Sequence, residues 1–192
     1  MSCFPSLSQS VRPWCVESMV LNRLKRIKLL ILDIDGVLTD GGIVYNDNAV
    51  ETKVFCVKDG LGIRLLMEAG IDLCIITGRR SDALHHRCKN LGIDLIFDGI
   101  DNKAAIFDLV LDRTGVNAEE TAFVGDDLPD LALMKKVGLS IAVADAHQTV
   151  VENADMVTSA KGGKGAVREV CEAILKARGF WENILERYLS QQ

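Results

Sequence analysis

Several things are missing from this sequence. Basic residues are not in excess: 22 Lys and Arg stand against 27 Asp and Glu, a net charge of −5. Neutralising a nucleic-acid backbone needs a basic face, so a general nucleic-acid binder is excluded, whereas a small anionic ligand held by local charge is not. No run approaches the roughly 18 consecutive apolar residues of a membrane span. The six cysteines, Cys3, Cys15, Cys56, Cys74, Cys88 and Cys171, form no CxxC pair, and no Cys/His group has zinc-ligand spacing. Reduced thiols and a cytoplasmic protein are therefore expected. The first residues lack the continuous apolar core of a signal peptide. Residues 1–26 are expected to be a poorly ordered extension without catalytic part, and 27–192 a single domain, since no repeat or linker divides them.

What is present suits one soluble domain with a real core: 192 residues, 48% apolar and 26% charged. Short apolar runs recur at Leu29–Leu32, Leu73–Ile76, Leu95–Phe97, Ala122–Val124 and Ser140–Val143, with Met156–Val157 as a short sixth. Continuous rather than alternating apolar runs suit parallel strands covered on both faces. Helical patterns lie between them: Leu61 to Ala69, Ser81 to Leu91 closed by Gly92, Asn102 to Gly115, Leu128 to Val137 and Val167 to Ala177. Strands alternating with helices predict an α/β fold with a doubly wound parallel sheet. One segment breaks the alternation. From Gly41 to Val57, two β-prone runs (Ile43–Tyr45 and Thr52–Val57) flank Asn46-Asp47-Asn48, which predicts a β-hairpin inserted after the first strand.

Ligands of open α/β sheets bind beyond the carboxyl ends of the strands, so polar residues there carry the most weight. Asp33 and Asp35 follow the first strand, and Thr77-Gly78-Arg79 the second. Asp98 ends the third, with Lys103 opening the next helix, and Asp126, Asp127 and Asp130 follow the fourth. Taken singly, an Asp after a strand is as often a cap, Thr77 a cap and Lys103 a solvated helix residue; in order and together they converge on one edge. Carboxylates crowded together repel unless a cation neutralises them, and a hard, oxygen-only set suits Mg2+. Phosphate monoesters hydrolyse among the slowest of compounds, and a carboxylate nucleophile divides that barrier through an aspartyl phosphate. Asp33 is the candidate nucleophile. Asp35, two residues on, is placed to protonate the leaving alkoxide and then to activate water. Thr77 and Lys103 would balance charge on the phosphoryl oxygens.

Asp33-Ile34-Asp35-Gly36-Val37, Ile76-Thr77-Gly78, Lys103 and Gly125-Asp126-Asp127-Leu128-Pro129-Asp130 resemble the four ordered motifs of the haloacid dehalogenase superfamily. The resemblance implies Asp33 as nucleophile, Asp35 as acid/base, Thr77 and Lys103 as phosphoryl holders, and a metal held by Asp33, Asp126 and the main-chain carbonyl of Asp35. Asp130 would orient Lys103 or the metal shell. Leu38-Thr39-Asp40-Gly41, Lys58 to Arg64, Ile76 to Arg79, Val143 to His147 and Gly162 to Glu169 are similar to the 3-deoxy-D-manno-octulosonate 8-phosphate phosphatase family, over about Lys28 to Ala177. That likeness implies a magnesium enzyme of lipopolysaccharide sugar synthesis, a homotetramer of the capless branch. Its hairpins associate, and neighbouring subunits help close each site. The spacing between motifs agrees, leaving no room for a cap domain. The glycine-rich tail at Gly162, Gly163 and Gly165 reads as a lid.

Two departures stand out. Lys58 occupies a position where arginine is expected, and residues 1–26 have no counterpart. A sugar acid phosphate also carries a carboxylate, for which Arg79 is the best-placed partner, with Lys58, Arg64, Arg87 and Arg168 behind it. Two alternatives stay open: a phosphatase for a nine-carbon 9-phosphate, against which the resemblance sets Arg79, and a non-catalytic tetramerisation domain.

Overall fold

The computed structural model describes residues 18–190. Most of the expected extension, residues 1–17, lies outside the described residues. From Ser18 the chain is helical, α1 (Ser18–Leu24), and Leu24 is buried in the core, so packing into the domain begins before residue 27.

Eight strands follow: β1 (Leu29–Leu32), β2 (Val44–Tyr45), β3 (Glu51–Thr52), β4 (Asp72–Ile76), β5 (Leu95–Phe97), β6 (Thr121–Gly125), β7 (Leu139–Ala142) and β8 (Met156–Val157). Six of them form one parallel sheet in the order β5-β4-β1-β6-β7-β8. β1 lies in the middle, between β4 and β6. The chain winds outward from it on one side through β4 and β5, then on the other through β6, β7 and β8. β1 is therefore the switch point of the topology, and the crevice of such a sheet opens beyond its carboxyl end.

The unbroken apolar runs are explained by what covers them. Leu30 and Leu32 face one cluster with residues of α1, α2 (Val57–Glu68), α3 (Asp82–Leu91) and α7 (Ala166–Ala177). Leu29 and Ile31 face the other, with α4 (Phe107–Thr114), α5 (Leu131–Met134) and Val150 of α6 (Gln148–Asn153). All four residues of β1 are wholly buried. Truncating one to Ala would cost about 2–5 kcal/mol, the scale for a large core aliphatic. Gly92 and Gly115 end α3 and α4 in the left-handed conformation, as their positions predict. α8 (Trp181–Ser190) had no counterpart among the expected helices; it packs on α7.

The hairpin is real but shorter than its β-prone runs. Only Val44–Tyr45 and Glu51–Thr52 pair, with Tyr45 opposite Glu51. Asn46 Oδ1 accepts from the amides of Asn48 and Val50 and closes the turn. The second run stops early because Lys53 leaves the ladder to meet Asp35, and Val57 already opens α2.

The glycine-rich tail is not the lid that its composition suggests. Gly162 and Gly163 pack against the backbone that follows Asp35. The Gly163 amide donates to Val37 O at 2.9 Å, and the Gly162 amide to Asp145 Oδ1 at 2.9 Å. A Cβ at Gly162 would overlap the carbonyl of Gly36. These glycines permit close approach rather than motion. Asp59, buried in the first turn of α2, accepts from the Arg168 amide at 2.7 Å and so caps α7 from across the core. The turn braces the catalytic loop from behind.

Candidate active site

β1 stops at Leu32 because the next residues turn away from the ladder: the Asp33 amide still bonds Val124 O, and three successive amides from Val37 then converge on Ile34 O. That tight turn requires Gly36, whose φ is +89°. It also needs Gly36 for space, since a Cβ there would overlap the Asp126 carboxylate. The loop after β1 and the loop after β6 thus close on each other.

The core of the site is an ion cluster. Lys103 Nζ lies 2.8 Å from Asp33 Oδ1 and 2.6 Å from Asp130 Oδ1, with its side chain 5% exposed. The second oxygen of Asp130 accepts from the Asp126 and Asp127 amides at 2.8 and 3.3 Å. Both oxygens of Asp130 are therefore engaged, and its work is to hold Lys103 and the Asp126 loop. Burial pushes the Asp33 carboxyl up to about 6 against the pull of Lys103. Burial, with the Asp33 and Asp130 charges behind it, pushes Asp126 up to about 8. Burial alone would depress Lys103, but Asp33 and Asp130 outweigh it and the ammonium is held above its ordinary range.

Three carboxylate oxygens, one each from Asp33, Asp126 and Asp130, lie within 4.8 Å of one another. One ammonium for three crowded acids, two of them buried, is too little positive charge, and every donor is a hard oxygen. That set fits a divalent cation such as Mg2+. With Asp130 engaged elsewhere, Asp33 and Asp126 are the side chains free to ligate it. The Asp35 carboxylate stands apart from this cluster, so any share it has in the metal falls to its main chain.

On the other side, the hairpin backs the lining residues Asp35 and Arg79. Tyr45, Glu51 and Lys53 project to one side, as alternate residues and a cross-strand pair must. Lys53 Nζ donates to Asp35 Oδ1 and lies 2.9 Å from Glu51 Oε1. Burial works against its charge, and Asp35 and Glu51 more than compensate, so its pKa is raised. Arg79 Nη2 donates to Glu51 Oε2 at 2.6 Å and to Tyr45 Oη at 3.1 Å, while its Nε sits 3.5 Å from Asp35 Oδ2.

The cleft has a volume of about 440 Å³ and is lined by Asp33, Asp35, Thr77, Arg79, Lys103 and Asp126 among others; Tyr45, Glu51 and Lys53 stand behind its lining, against Asp35 and Arg79. That is the size of a small-molecule site, typically about 300–1,000 Å³. All the expected catalytic and metal residues meet in it. Among the expected substrate contacts only Arg79 does. Lys58 is exposed on α2. Arg64 donates to Asn90 O, and Arg168 pairs with Glu172 and lies over Trp181. Arg87 lies over the Phe55 ring. These four sit on α2, α3 and α7, and none of them lines the cleft. Asp98 pairs with His85 outside the cleft. His147 caps α6, and its amide donates to Asp126 O at 2.7 Å. Tyr45, Glu51, Lys53 and Asp101 were not anticipated. Glu51 and Lys53 left one local signal, the alternation of charged residues at the second strand, whereas Tyr45 left none.

Residues 93–170 match the family model described as haloacid dehalogenase-like hydrolase. The chain is 47% identical to the 3-deoxy-D-manno-octulosonate 8-phosphate phosphatase of Salmonella typhi, over 85% of this chain and 87% of that protein. It is similar to the crystal structure of the Yersinia pestis protein of the same name, with TM-score 0.85, 45% identity and coverage of 86% and 89% of the two chains. A third relative is the Moraxella catarrhalis 3-deoxy-D-manno-octulosonate 8-phosphate phosphatase, solved in complex with magnesium ion, phosphate ion and a KDO molecule. It has TM-score 0.85 and 41% identity, over 88% of this chain and 97% of that one.

Proposed function

Because this chain belongs to the haloacid dehalogenase-like hydrolases, among the 3-deoxy-D-manno-octulosonate 8-phosphate phosphatases, we propose that it hydrolyses 3-deoxy-D-manno-octulosonate 8-phosphate to the free sugar acid and phosphate, as a magnesium-dependent phosphomonoesterase. The observation that carries this reading is the Asp33 carboxylate at the end of the central strand, gripped by Lys103 and clustered with Asp126 in the lining of a small cleft.

The residues divide the work. Asp33 attacks phosphorus, the bond to the sugar oxygen breaks, and Asp35 delivers the proton that lets the alkoxide leave. Asp35 then takes a proton from the water that attacks the aspartyl phosphate, returning Asp33. Lys103 and Thr77 hold the phosphoryl oxygens, and Asp130 keeps Lys103 in place. Magnesium, held by Asp33, Asp126 and the Asp35 main chain, supplies positive charge against the nucleophile and the phosphate. Arg79, half-exposed at the cleft rim, is our candidate for the substrate carboxylate. Lys58, Arg64, Arg87 and Arg168 reach a substrate only where a neighbouring subunit brings its own cleft to them.

We also propose a homotetramer in the cytoplasm. The hairpin supports the former: Ile43, Val44, Tyr45, Val50 and Val54 are each more than half exposed, an apolar strip that a lone subunit would leave in water. The four described cysteines are free, which suits a reducing compartment.

Phosphate release from this eight-carbon substrate and from a nine-carbon 9-phosphate, with magnesium and with EDTA, tests the reading. Magnesium-dependent turnover favouring the eight-carbon ester is expected. Preference for the nine-carbon ester would keep the mechanism and discard the substrate. A folded tetramer that hydrolyses neither would sink the enzyme reading in favour of an assembly role.

A further inference from the structure

We propose that Lys53, on the hairpin, is a positioning residue for Asp35: its ammonium holds one carboxylate oxygen so that the other alone carries and accepts the catalytic proton. This rests on the assignment of Asp35 as acid/base.

A carboxyl group with two equivalent free oxygens must find both the right rotamer and the right oxygen for its proton. The geometry around Asp35 removes that choice. Oδ1 receives Lys53 Nζ, with the Thr39 hydroxyl beside it at 3.4 Å. Oδ2 is buried and has no hydrogen-bond partner among the described residues. The Lys53 side chain is only 3% exposed, and its second partner, Glu51, is itself held by Arg79. Asp35, Lys53, Glu51 and Arg79 thus form a closed ring of two acids and two bases, with Arg79 Nε returning to within 3.5 Å of Asp35 Oδ2. A surface lysine would be worth little here. A desolvated one locked between two carboxylates fixes an angle.

The proton balance makes the idea testable. In the first step the Asp33–phosphorus bond forms, the ester P–O bond breaks, and the proton on Asp35 Oδ2 passes to the leaving oxygen. An alkyl ester needs that proton, whereas p-nitrophenyl phosphate releases a stable anion without it. In the second step both esters give the same aspartyl phosphate, and Asp35 must remove a proton from water.

The experiment uses the full-length magnesium-loaded protein. Lys53→Met is expected to slow phosphoryl transfer from the alkyl substrate about 10²-fold, the scale of a misplaced catalytic group. With p-nitrophenyl phosphate it should leave the first step nearly unchanged, producing a burst of nitrophenolate followed by slow turnover. Lys53→Arg should restore most of the alkyl rate, and Asp35→Asn should reproduce the split. Equal losses in the first step for both esters, or a change in KM alone, would overturn the proposal and leave Lys53 a packing or binding residue. If Asp35→Asn itself shows no split, the acid/base assignment fails. If Asp35→Asn splits and Lys53→Met does not, only the role of Lys53 fails. Should Lys53→Met not fold, Lys53→Gln, without the charge, is read in the same way.

Discussion

The two walls of the cleft are built on different principles. On one side, Asp33, Lys103 and Asp130 are buried at strand ends, anchored through β1, β6 and the short helical turns beside them. On the other, Arg79 lines the cleft and is held from behind by Tyr45 and Glu51 of a hairpin only two residue pairs long. The first wall is set by the same packing that forms the core, so its groups cannot shift without disturbing the sheet. The second is held by charged side chains at the rim. On the reading proposed above, the nucleophile belongs to the rigid side, while the hairpin side holds Asp35 through Lys53 and would meet the rest of the substrate through Arg79.

Substitution should separate the walls sharply. Asp33→Asn is expected to reduce kcat by about 10⁴-fold or more, the scale for loss of a nucleophile. It should leave the melting temperature unchanged or higher, because one of three crowded acids is gone. An active, unaltered Asp33→Asn would break the comparison outright. Lys103→Met comes next. It strands two buried carboxylates, so a stability loss of about 3–5 kcal/mol by denaturant titration should accompany a rate loss of about 10²–10³-fold.

On the opposite wall, Arg79→Ala should lower kcat/KM for the sugar acid phosphate by about 10- to 100-fold, the worth of a charged hydrogen bond. Turnover of p-nitrophenyl phosphate, which has no carboxylate, should hardly change. A matched loss on both esters would mean that Arg79 acts through Asp35 and not on the substrate carboxylate. The smallest effect is on metal-free protein. Carboxyls whose folded pKa exceeds the unfolded value of 3.8 lend stability that is complete below that value. It is lost as pH climbs through about 6 for Asp33 and about 8 for Asp126. The melting temperature in EDTA should therefore fall between pH 4 and 8, and added magnesium should recover it most at the upper end.

The two walls also differ in how far sequence reveals them. Every strand of the parallel sheet was legible to within a residue or so, because parallel strands buried on both faces leave unbroken apolar runs. The rigid wall came with them: once a strand end is located, Asp33, Thr77 and Asp126 are located too. Lys103 was placed in the same way, though it opens a short 3-10 turn rather than the long helix its neighbourhood suggests. The hairpin wall was not legible. Glu51 and Arg79 are 28 residues apart and Tyr45 and Arg79 34, and no local pattern says which charges will face each other across that gap. The tail glycines misled for a related reason. Composition registers that glycine lacks a side chain, but not whether the space is used for movement or for contact. Arg64 and Arg168 lie on helices whose partners, Asn90, Glu172 and Trp181, are fixed only by packing.

The brace behind the catalytic loop has a consequence for how the protein is made. Lys164, which reaches Asp40 beside that brace, lies 124 residues further along the chain. At ribosomal speeds of about 5–20 residues per second, the loop bearing Asp33 and Asp35 emerges roughly 6–25 seconds before the turn that supports it. A nascent chain halted just short of Gly162 already carries all four motifs, yet lacks the turn that packs on the backbone of Gly36 and Thr39. Hydrolytic competence would then arrive near the end of synthesis rather than growing with it.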